Sequence, residues 1–387
     1  MTRTGSPRLL REINDRAAIE TLLRTGPMTR SELEEVIGLS KPATAQLLAR
    51  LEEDGWVVRT GLRGGGRGPR AQMWAVNGGV GHVAAVELTP DLIDVAIADI
   101  TGALLAEHSA PMPKKDTLTA LRDVLAKAAG LAGLELDALS HVVIGTPGAV
   151  DPATGHLGFA PHLPGLDGVD LPGRLRELFG TSVSVENDIN LAALEEMSTG
   201  RAKDVRNFVL FWPADEIGSA VVVNGVLLRG VTGGAGEVDS MQVPGGRYGD
   251  QVDSDAIVAL AADHGISAPT GLEAVRHALE AGTEGREFLK SLAHRIAIGL
   301  ANVVCVLDPE LVLLSGALAQ AGGEALCELV SAELRELVVP RTPVQLAQVT
   351  AHPVKSGALH SALAVAREQV FGMPATAAPF RSHIVQS

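Results

Sequence analysis

Residues 185–196 read VENDINLAALEE. The polar trio Glu186-Asn187-Asp188 interrupts an otherwise apolar stretch. Before it, Val183-Ser184-Val185 alternates as a strand does. After it, Leu191, Ala192, Leu194 and Glu195 have helical spacing. The trio therefore stands where a strand hands over to a helix, a usual place for a ligand site in α/β sheets. It can equally cap the helix, because Asn and Asp are favoured N-caps and a carboxylate suits the positive end of the dipole. Both readings are open at this point.

The flanking sequence sets the trio in an α/β body. Residues 83–110, VAAVELTPDLIDVAIADITGALLAEHSA, read as three strands joined by two turns. A helical stretch follows at Leu118–Ala132, then the apolar strand His141-Val142-Val143-Ile144, which ends in Gly145-Thr146-Pro147-Gly148. Beyond the trio the plan partly repeats. Phe208–Trp212 and Gly218–Val223 read as strands, Asn224-Gly225 is a hairpin turn, and Val226-Leu227-Leu228 returns. A long helix is expected over Glu287–Val304, and the strand Leu311–Leu314 runs into Ser315-Gly316. Two lobes that each open with hairpins and continue in βα units imply a cleft between them as the ligand site. The long helix is the expected route from that cleft to the dimer geometry, and so to the spacing of the heads.

The chain has 387 residues, enough for two or three domains. Its charge is uneven. Residues 1–80 hold 12 Lys+Arg and 9 Asp+Glu, which leaves 20 and 37 for the rest of a chain whose net charge is −14. Only the mildly basic head is suited to nucleic acid. Arg3, Arg8 and Arg11 are not followed by an apolar core, so no signal peptide is expected, and no uninterrupted apolar run suggests a bilayer span. Cys305 and Cys327 lie in apolar segments and are expected in the core of a reduced, cytoplasmic protein.

The head reads as a winged helix-turn-helix. A helix around Arg16–Leu23 stops at Gly26-Pro27. Thr29-Arg30-Ser31-Glu32 is a capping box, and its helix points Leu33, Val36 and Ile37 inward before ending at Gly38. Ser40 is a good N-cap for KPATAQLLARLEEDG (41–55), with Pro42 in the first turn. Helix, short Gly-containing turn and second helix make the DNA-reading motif, and small polar residues at the second helix's N-terminus suit a major groove. Ser40, Lys41, Pro42, Thr44, Gln46 and Arg50 are the candidate contacts. Trp56-Val57-Val58 and Met73–Val76 read as the wing strands. The tip between them is RTGLRGGGRGPRAQ (59–72), whose Arg63, Arg67 and Arg70 suit phosphates or a narrow minor groove.

Head and body together resemble the ROK family (repressors, open reading frames and sugar kinases). In the head the resemblance rests on Arg30-Ser31-Glu32-Leu33, Gly38-Leu39-Ser40-Lys41-Pro42 and the linker Gly66-Arg67-Gly68-Pro69-Arg70. In the body it rests on Thr146-Pro147-Gly148, Ala160-Pro161-His162-Leu163-Pro164-Gly165, Val185–Asn190 and Gly233-Gly234-Ala235-Gly236-Glu237-Val238. The resemblance implies a two-lobed actin-like ATPase fold over residues 81–200 and 201–387, behind a winged head at 1–80, with the C-terminal helix free to pack back on the first lobe. It also implies sugar contacts at Asn187, Asp188 and Glu237, with Asp188 at the position of the kinase base. His162 stands where the family usually has a sugar-binding Asn. Carboxylates and an amide are good partners for vicinal hydroxyls, since they accept in fixed directions.

The departures from the family pattern decide what to expect of catalysis. The kinases' Asp-x-Gly-Gly-Thr reads Glu87-Leu88-Thr89-Pro90-Asp91 here, without glycine and with one amide donor lost to proline. The second phosphate loop reads Ala214-Asp215-Glu216-Ile217-Gly218. At about 4 Å and an effective dielectric near 20, each carboxylate facing a phosphate would cost on the order of 4 kcal/mol. Asp239-Ser240 and MQVPGGRYGD (241–250) replace the family's His and zinc cysteines, so no metal and no other cofactor is expected. The sequence thus predicts a non-catalytic, cytoplasmic transcription factor, with a DNA operator and a sugar or sugar derivative as partners. Two half-sites imply a homodimer or homotetramer. An active sugar kinase with an accessory head is the rival, as is a regulator answering to a sugar phosphate or a partner protein.

Overall fold

The computed structural model describes residues 7–64, 70–158, 163, 166, 168–214 and 217–373. Arg67, His162, Asp215 and Glu216 lie outside the described residues. The head opens with α1 (Pro7–Thr25), β1 (Met28–Thr29), α2 (Arg30–Ile37) and α3 (Lys41–Glu53). The capping box forms as read: the Thr29 side chain accepts from the Glu32 amide, and the Glu32 side chain accepts from the Thr29 amide. Gly38 ends α2 at φ 74°, a left-handed conformation that glycine adopts at no steric cost. Ser40 has extended backbone but its hydroxyl makes no capping bond. Strands β2 (Val57–Arg63) and β3 (Ala71–Val76) form the wing, in the sheet order β1-β3-β2. Val36 is 52% exposed rather than inward, because α2 has only two turns and Leu33 and Ile37 already fill its buried side.

The first lobe runs β4 (His82–Leu88), β5 (Leu92–Asp99), β6 (Leu104–Pro111), α4 (Thr117–Leu131), β7 (His141–Thr146), β8 (Ala149–Val150), β9 (Leu157–Gly158), α5 (Leu171–Phe179), β10 (Val183–Asn187) and α6 (Asp188–Ser198). Its sheet order is β10-β7-β4-β5-β6, with the hairpins antiparallel and β7 and β10 parallel to β4. The second lobe repeats this plan. It runs β11 (Phe208–Trp212), β12 (Gly218–Val223), β13 (Val226–Leu227), β14 (Gln242–Val243), β15 (Gly246–Arg247), α7 (Gly249–Val252), α8 (Ser254–Asp263), α9 (Gly271–Glu280), α10 (Gly282–Leu307), β16 (Leu311–Leu314), α11 (Gly316–Leu337) and β17 (Val344–Leu346). The order of its main sheet is β13-β12-β11-β16-β17.

The last helix, α12 (Pro353–Phe371), follows the second lobe in sequence but packs on β4, β7 and α6 of the first. Small residues permit the approach: a Cβ on Gly357 would lie 2.0 Å from the Leu191 carbonyl oxygen. Helix α6 in turn lies between the two sheets, with Leu191, Ala192 and Ala193 buried in a core that includes Phe208, Leu210 and Ala220. The same apolar cluster extends into the head through Ile19, Leu22, Leu51 and Val57. Trp56 and Phe371 close that junction edge to face, with ring centroids 5.3 Å apart.

Helix α10 has the length and composition to cross a bilayer. It lies in the second lobe's core instead, burying Phe288, Leu292, Ile296 and Leu300. The packing contacts that join the first lobe to the head run through α12. Cys327 is buried as expected, whereas Cys305 is exposed, on the outer side of α10.

Candidate nucleic-acid interface and interlobe cleft

Helix α3 buries Thr44, Leu47, Leu48 and Leu51 and exposes Lys41, Pro42, Gln46 and Ala49. Thr44 is therefore not a groove contact. It is fully buried, and its hydroxyl donates to the Ser40 carbonyl at 3.2 Å. Arg50 also serves differently from the expectation. Its guanidinium pairs with Asp15 of α1, with Nε 3.3 Å from Oδ2, and so braces α3 against α1. Arg63 pairs with Glu32 and donates to the Pro27 carbonyl at 3.2 Å, tying the wing to α2. That pair is half exposed, and such pairs contribute little, so a phosphate can displace the carboxylate. Arg70 is exposed where the wing tip leads into β3. Between α3 and the wing lies a notch of about 460 Å³, flanked by Arg30 and Arg59 and floored by Ala45, Ala49 and Trp74. Arg59, which sequence reasoning did not single out, lies over the Trp74 ring at 4.9 Å.

The opening question about the trio has a divided answer. Asn187 is the cap: its Oδ1 accepts from the Asn190 amide at 3.0 Å. Its Nδ2 donates to the Gly148 carbonyl at 3.1 Å, fixing it to the loop after β7. Asp188 occupies the first helical position, 7% exposed, and its Oδ1 accepts from the Ile189 amide at 2.7 Å. Glu186 spans the lobes. Its Oε1 accepts from the Asn187 amide and the Asn190 side chain, and its Oε2 accepts from Arg229 Nε of the second lobe at 2.6 Å. Sequence reasoning missed Arg229, which lies forty-three residues from its partner.

Close backbone approaches bring the Glu237 loop to the same cleft. A Cβ on Gly233, whose φ is +83°, would lie 2.2 Å from the Val150 carbonyl oxygen. One on Gly218 would meet Ile189, the neighbour of Asp188, at 2.4 Å. The Ser219 hydroxyl and amide both donate to the Gly236 carbonyl. Burial, followed by the nearby Asp239 charge, raises the Glu237 carboxyl above the ordinary carboxylate range.

The phosphate station is differently built. The amides of Asp91 and Leu92 donate to the Thr89 hydroxyl at 3.4 and 3.0 Å, and the Thr89 amide donates to the Leu92 carbonyl at 2.9 Å. The hairpin tip thus spends its donors on itself. On the other lobe, the N-terminus of α11 would suit an anion. There a Cβ on Gly316 would lie 2.2 Å from Trp212 Nε1, so the indole lies against that backbone.

Where the family carries its zinc segment, Asp239 pairs with Arg247. Tyr248 is 1% exposed beside Gly299, and its hydroxyl donates to the Ile296 carbonyl at 3.0 Å. An ion pair and a buried ring thus hold the segment between Val238 and Val252. Among the described residues one trio could converge on a cation, Glu87, Asp94 and His352. The Lys355 ammonium already lies 2.8 Å from Asp94 and from Glu107, which supplies the neutralising charge.

These elements define a winged helix-turn-helix head carried on a two-lobed body of the actin-like sugar-kinase fold. The sequence model of the ROK family matches residues 83–369, and that of the MarR family matches residues 13–68. The chain belongs to the ROK family. It is 24% identical over 369 residues to a xylose repressor of Caldicellulosiruptor bescii, covering 87% of this chain and 90% of that protein. The crystal structure of a ROK family transcriptional regulator, a homologue of the Escherichia coli Mlc protein, superposes with a TM-score of 0.71 at 19% identity. That match covers 95% of this chain and 99% of the other. A ROK hexokinase of Thermus thermophilus gives 0.61 at 26% identity, covering 72% of this chain and 96% of the hexokinase.

Proposed function

We propose that this chain is a cytoplasmic, DNA-binding transcriptional repressor of sugar metabolism or related genes, whose body senses a sugar or sugar derivative and does not phosphorylate it. The observation that carries this reading is a contrast between two segments of the body. Asn187, Asp188 and Glu237 keep the polar pattern suited to hydroxyls, while the tip of the β4–β5 hairpin turns its amides onto Thr89. Lys41, Gln46, Arg63, Arg67 and Arg70, with Ser40 and Pro42 at the helix end, are the proposed DNA contacts. His162 is proposed as a ligand contact that changes which sugar fits. A homodimer presenting two heads would read two half-sites related by a two-fold axis.

The response follows from packing. A ligand touching both lobes must favour one lobe arrangement, since equal affinity for two states shifts neither. Asp188 begins α6, and α6 packs on α12, whose last residue touches Trp56 of the head. Gel shifts on operator DNA with and without xylose, glucose, N-acetylglucosamine and mannose test the sensor. Asp188→Ala is expected to keep DNA binding and lose the response. The rival kinase reading is tested by ATP turnover on the same four sugars. Turnover that disappears in Asp188→Asn overturns the proposal.

A further inference from the structure

Strand β10 is the outer strand of the first-lobe sheet, paired with β7 alone. Beside it is a cavity of about 410 Å³ that none of Asn187, Asp188 and Glu237 lines. Its floor is a hydroxyl–imidazole–hydroxyl row. His141 Nδ1 lies 2.9 Å from the Ser182 hydroxyl, and His141 Nε2 lies 2.9 Å from the Ser184 hydroxyl. Its apolar wall comes from Val143 of β7, Leu191 and Leu194 of α6 and Val365 of α12. Ser361 of α12 also lines it, and the Ser361 hydroxyl is buried with no hydrogen-bond partner. The Arg229–Glu186 pair closes the end toward the second lobe.

The charged groups here already have partners. Glu186 is held by Arg229 and Asn190. At the rim, Asp151 accepts from the Ala153 and Thr154 amides, Asp170 accepts from the Gly173 amide, and Arg176 Nε donates to the Pro172 carbonyl at 3.2 Å. His141 is 2% exposed, and burial pushes its imidazole down to about 4, so it is uncharged near neutrality. What remains is a set of hydroxyls that both donate and accept, facing an aliphatic wall. The volume falls in the range of small-molecule pockets.

We propose that this cavity is a second ligand site, separate from the Asn187–Asp188–Glu237 cleft, for an uncharged polyhydroxylated molecule of monosaccharide size. Its hydroxyls meet Ser182, Ser184 and Ser361, and its C–H face lies on Val143, Leu191, Leu194 and Val365. Because α12 forms one wall and ends against the head, occupancy sets how α12 seats on the sheet. That consequence rests on the repressor reading; the binding itself does not.

The test uses the full chain and four probes, xylose, glucose, N-acetylglucosamine and xylitol, followed by calorimetry. Ser361→Met fills the cavity, Ser184→Ala removes one hydroxyl with little change of shape, and Asp188→Ala disables the cleft. Thermal melts establish that each variant folds. At least one probe is expected to bind Asp188→Ala as it binds the wild type, and to bind Ser184→Ala and Ser361→Met at least tenfold more weakly. Binding that survives both serine substitutions but is lost in Asp188→Ala overturns the site, as does failure of all four probes to bind. If a probe binds the cavity and leaves operator affinity unmoved, the coupling to the head is overturned and the site stands. A chain that binds no DNA at all overturns the repressor reading without touching this binding test.

Discussion

Replacing Phe371 tests whether head and body fold as one unit. The ring is 3% exposed at the end of α12 and meets Trp56 at 5.3 Å with an interplanar angle of 79°. Truncating a buried phenylalanine to alanine costs about 3–5 kcal/mol. Roughly 0.5–1.5 kcal/mol of that belongs to the edge-to-face pair, the share that Phe371→Leu should remove while keeping the site filled. The head offers few residues for a core of its own, and small units are marginal alone. The loss should therefore fall on head docking. Urea unfolding followed by tryptophan fluorescence and far-UV circular dichroism is the assay. Wild type should show the head unfolding with the first lobe. Phe371→Ala should show an early transition for the head, and Phe371→Leu a smaller shift in the same direction. Operator binding should persist in both, with the response to effector weakened. If Phe371→Ala unfolds in one step within about 1 kcal/mol of wild type, a value well below the cost of truncation, the junction does not couple the units.

Three further predictions concern single side chains. Lys41→Ala and Gln46→Ala should weaken operator binding in gel shifts at two salt concentrations, and Lys41→Ala should also lower the salt dependence because it removes a phosphate contact. Thr44→Val should leave operator affinity unchanged and cost about 0.5–1.5 kcal/mol of stability, the usual worth of one buried hydrogen bond. His141 should make the fold acid-sensitive. Its folded value near 4 lies below the ordinary 6.5, so the unfolded chain takes up the proton first. The contribution is complete above pH 6.5 and is lost as pH falls toward 4, amounting to roughly 3 kcal/mol by linkage. Glu186 and Arg229 form an ion pair at the same cavity, where Asp151, Asp170 and Arg176 are the other charged groups. Denaturant titrations at pH 7 and pH 4.5 should therefore differ more for wild type than for His141→Gln.

What the sequence revealed was local, and what it concealed was distant. The capping box, the Gly38 stop and the Asn224-Gly225 turn each act over four residues and were legible. The status of Thr44 was also legible in principle, because Thr44, Leu47, Leu48 and Leu51 follow the i, i+3, i+4, i+7 spacing of a buried face. Its polar side chain drew it into the contact set, although a threonine can satisfy its own hydroxyl at the i−4 carbonyl and be buried. Arg50 could not be assigned from its neighbours, since Asp15 lies thirty-five residues away. Tyr248 gave no local sign that it would be buried, because its partner Gly299 comes from α10.

The packing path from the first lobe to the head through α12 was hidden in the sequence for a physical reason of the same kind. Helix α10 is long and strongly apolar, which makes it conspicuous in the sequence, but those apolar residues commit it to the second lobe's core. Helix α12 is less conspicuous, yet it has neighbours on three sides. Lys355 near its start bridges Asp94 and Glu107 of the first sheet, His360 pairs with Glu195 of α6, and Phe371 at its end meets Trp56. Glu195 lies two turns along the helix that Asp188 opens. A shift of α6 of even part of a residue would have to be shared by α12, because the Gly357–Leu191 contact leaves no space for sliding apart from a joint movement. The trio at 186–188 is thus cap, ligand candidate and lobe bridge at once, held by Asn187, Asp188 and Glu186 respectively. Its position at the start of α6 connects it, through the packing of α12, to Trp56.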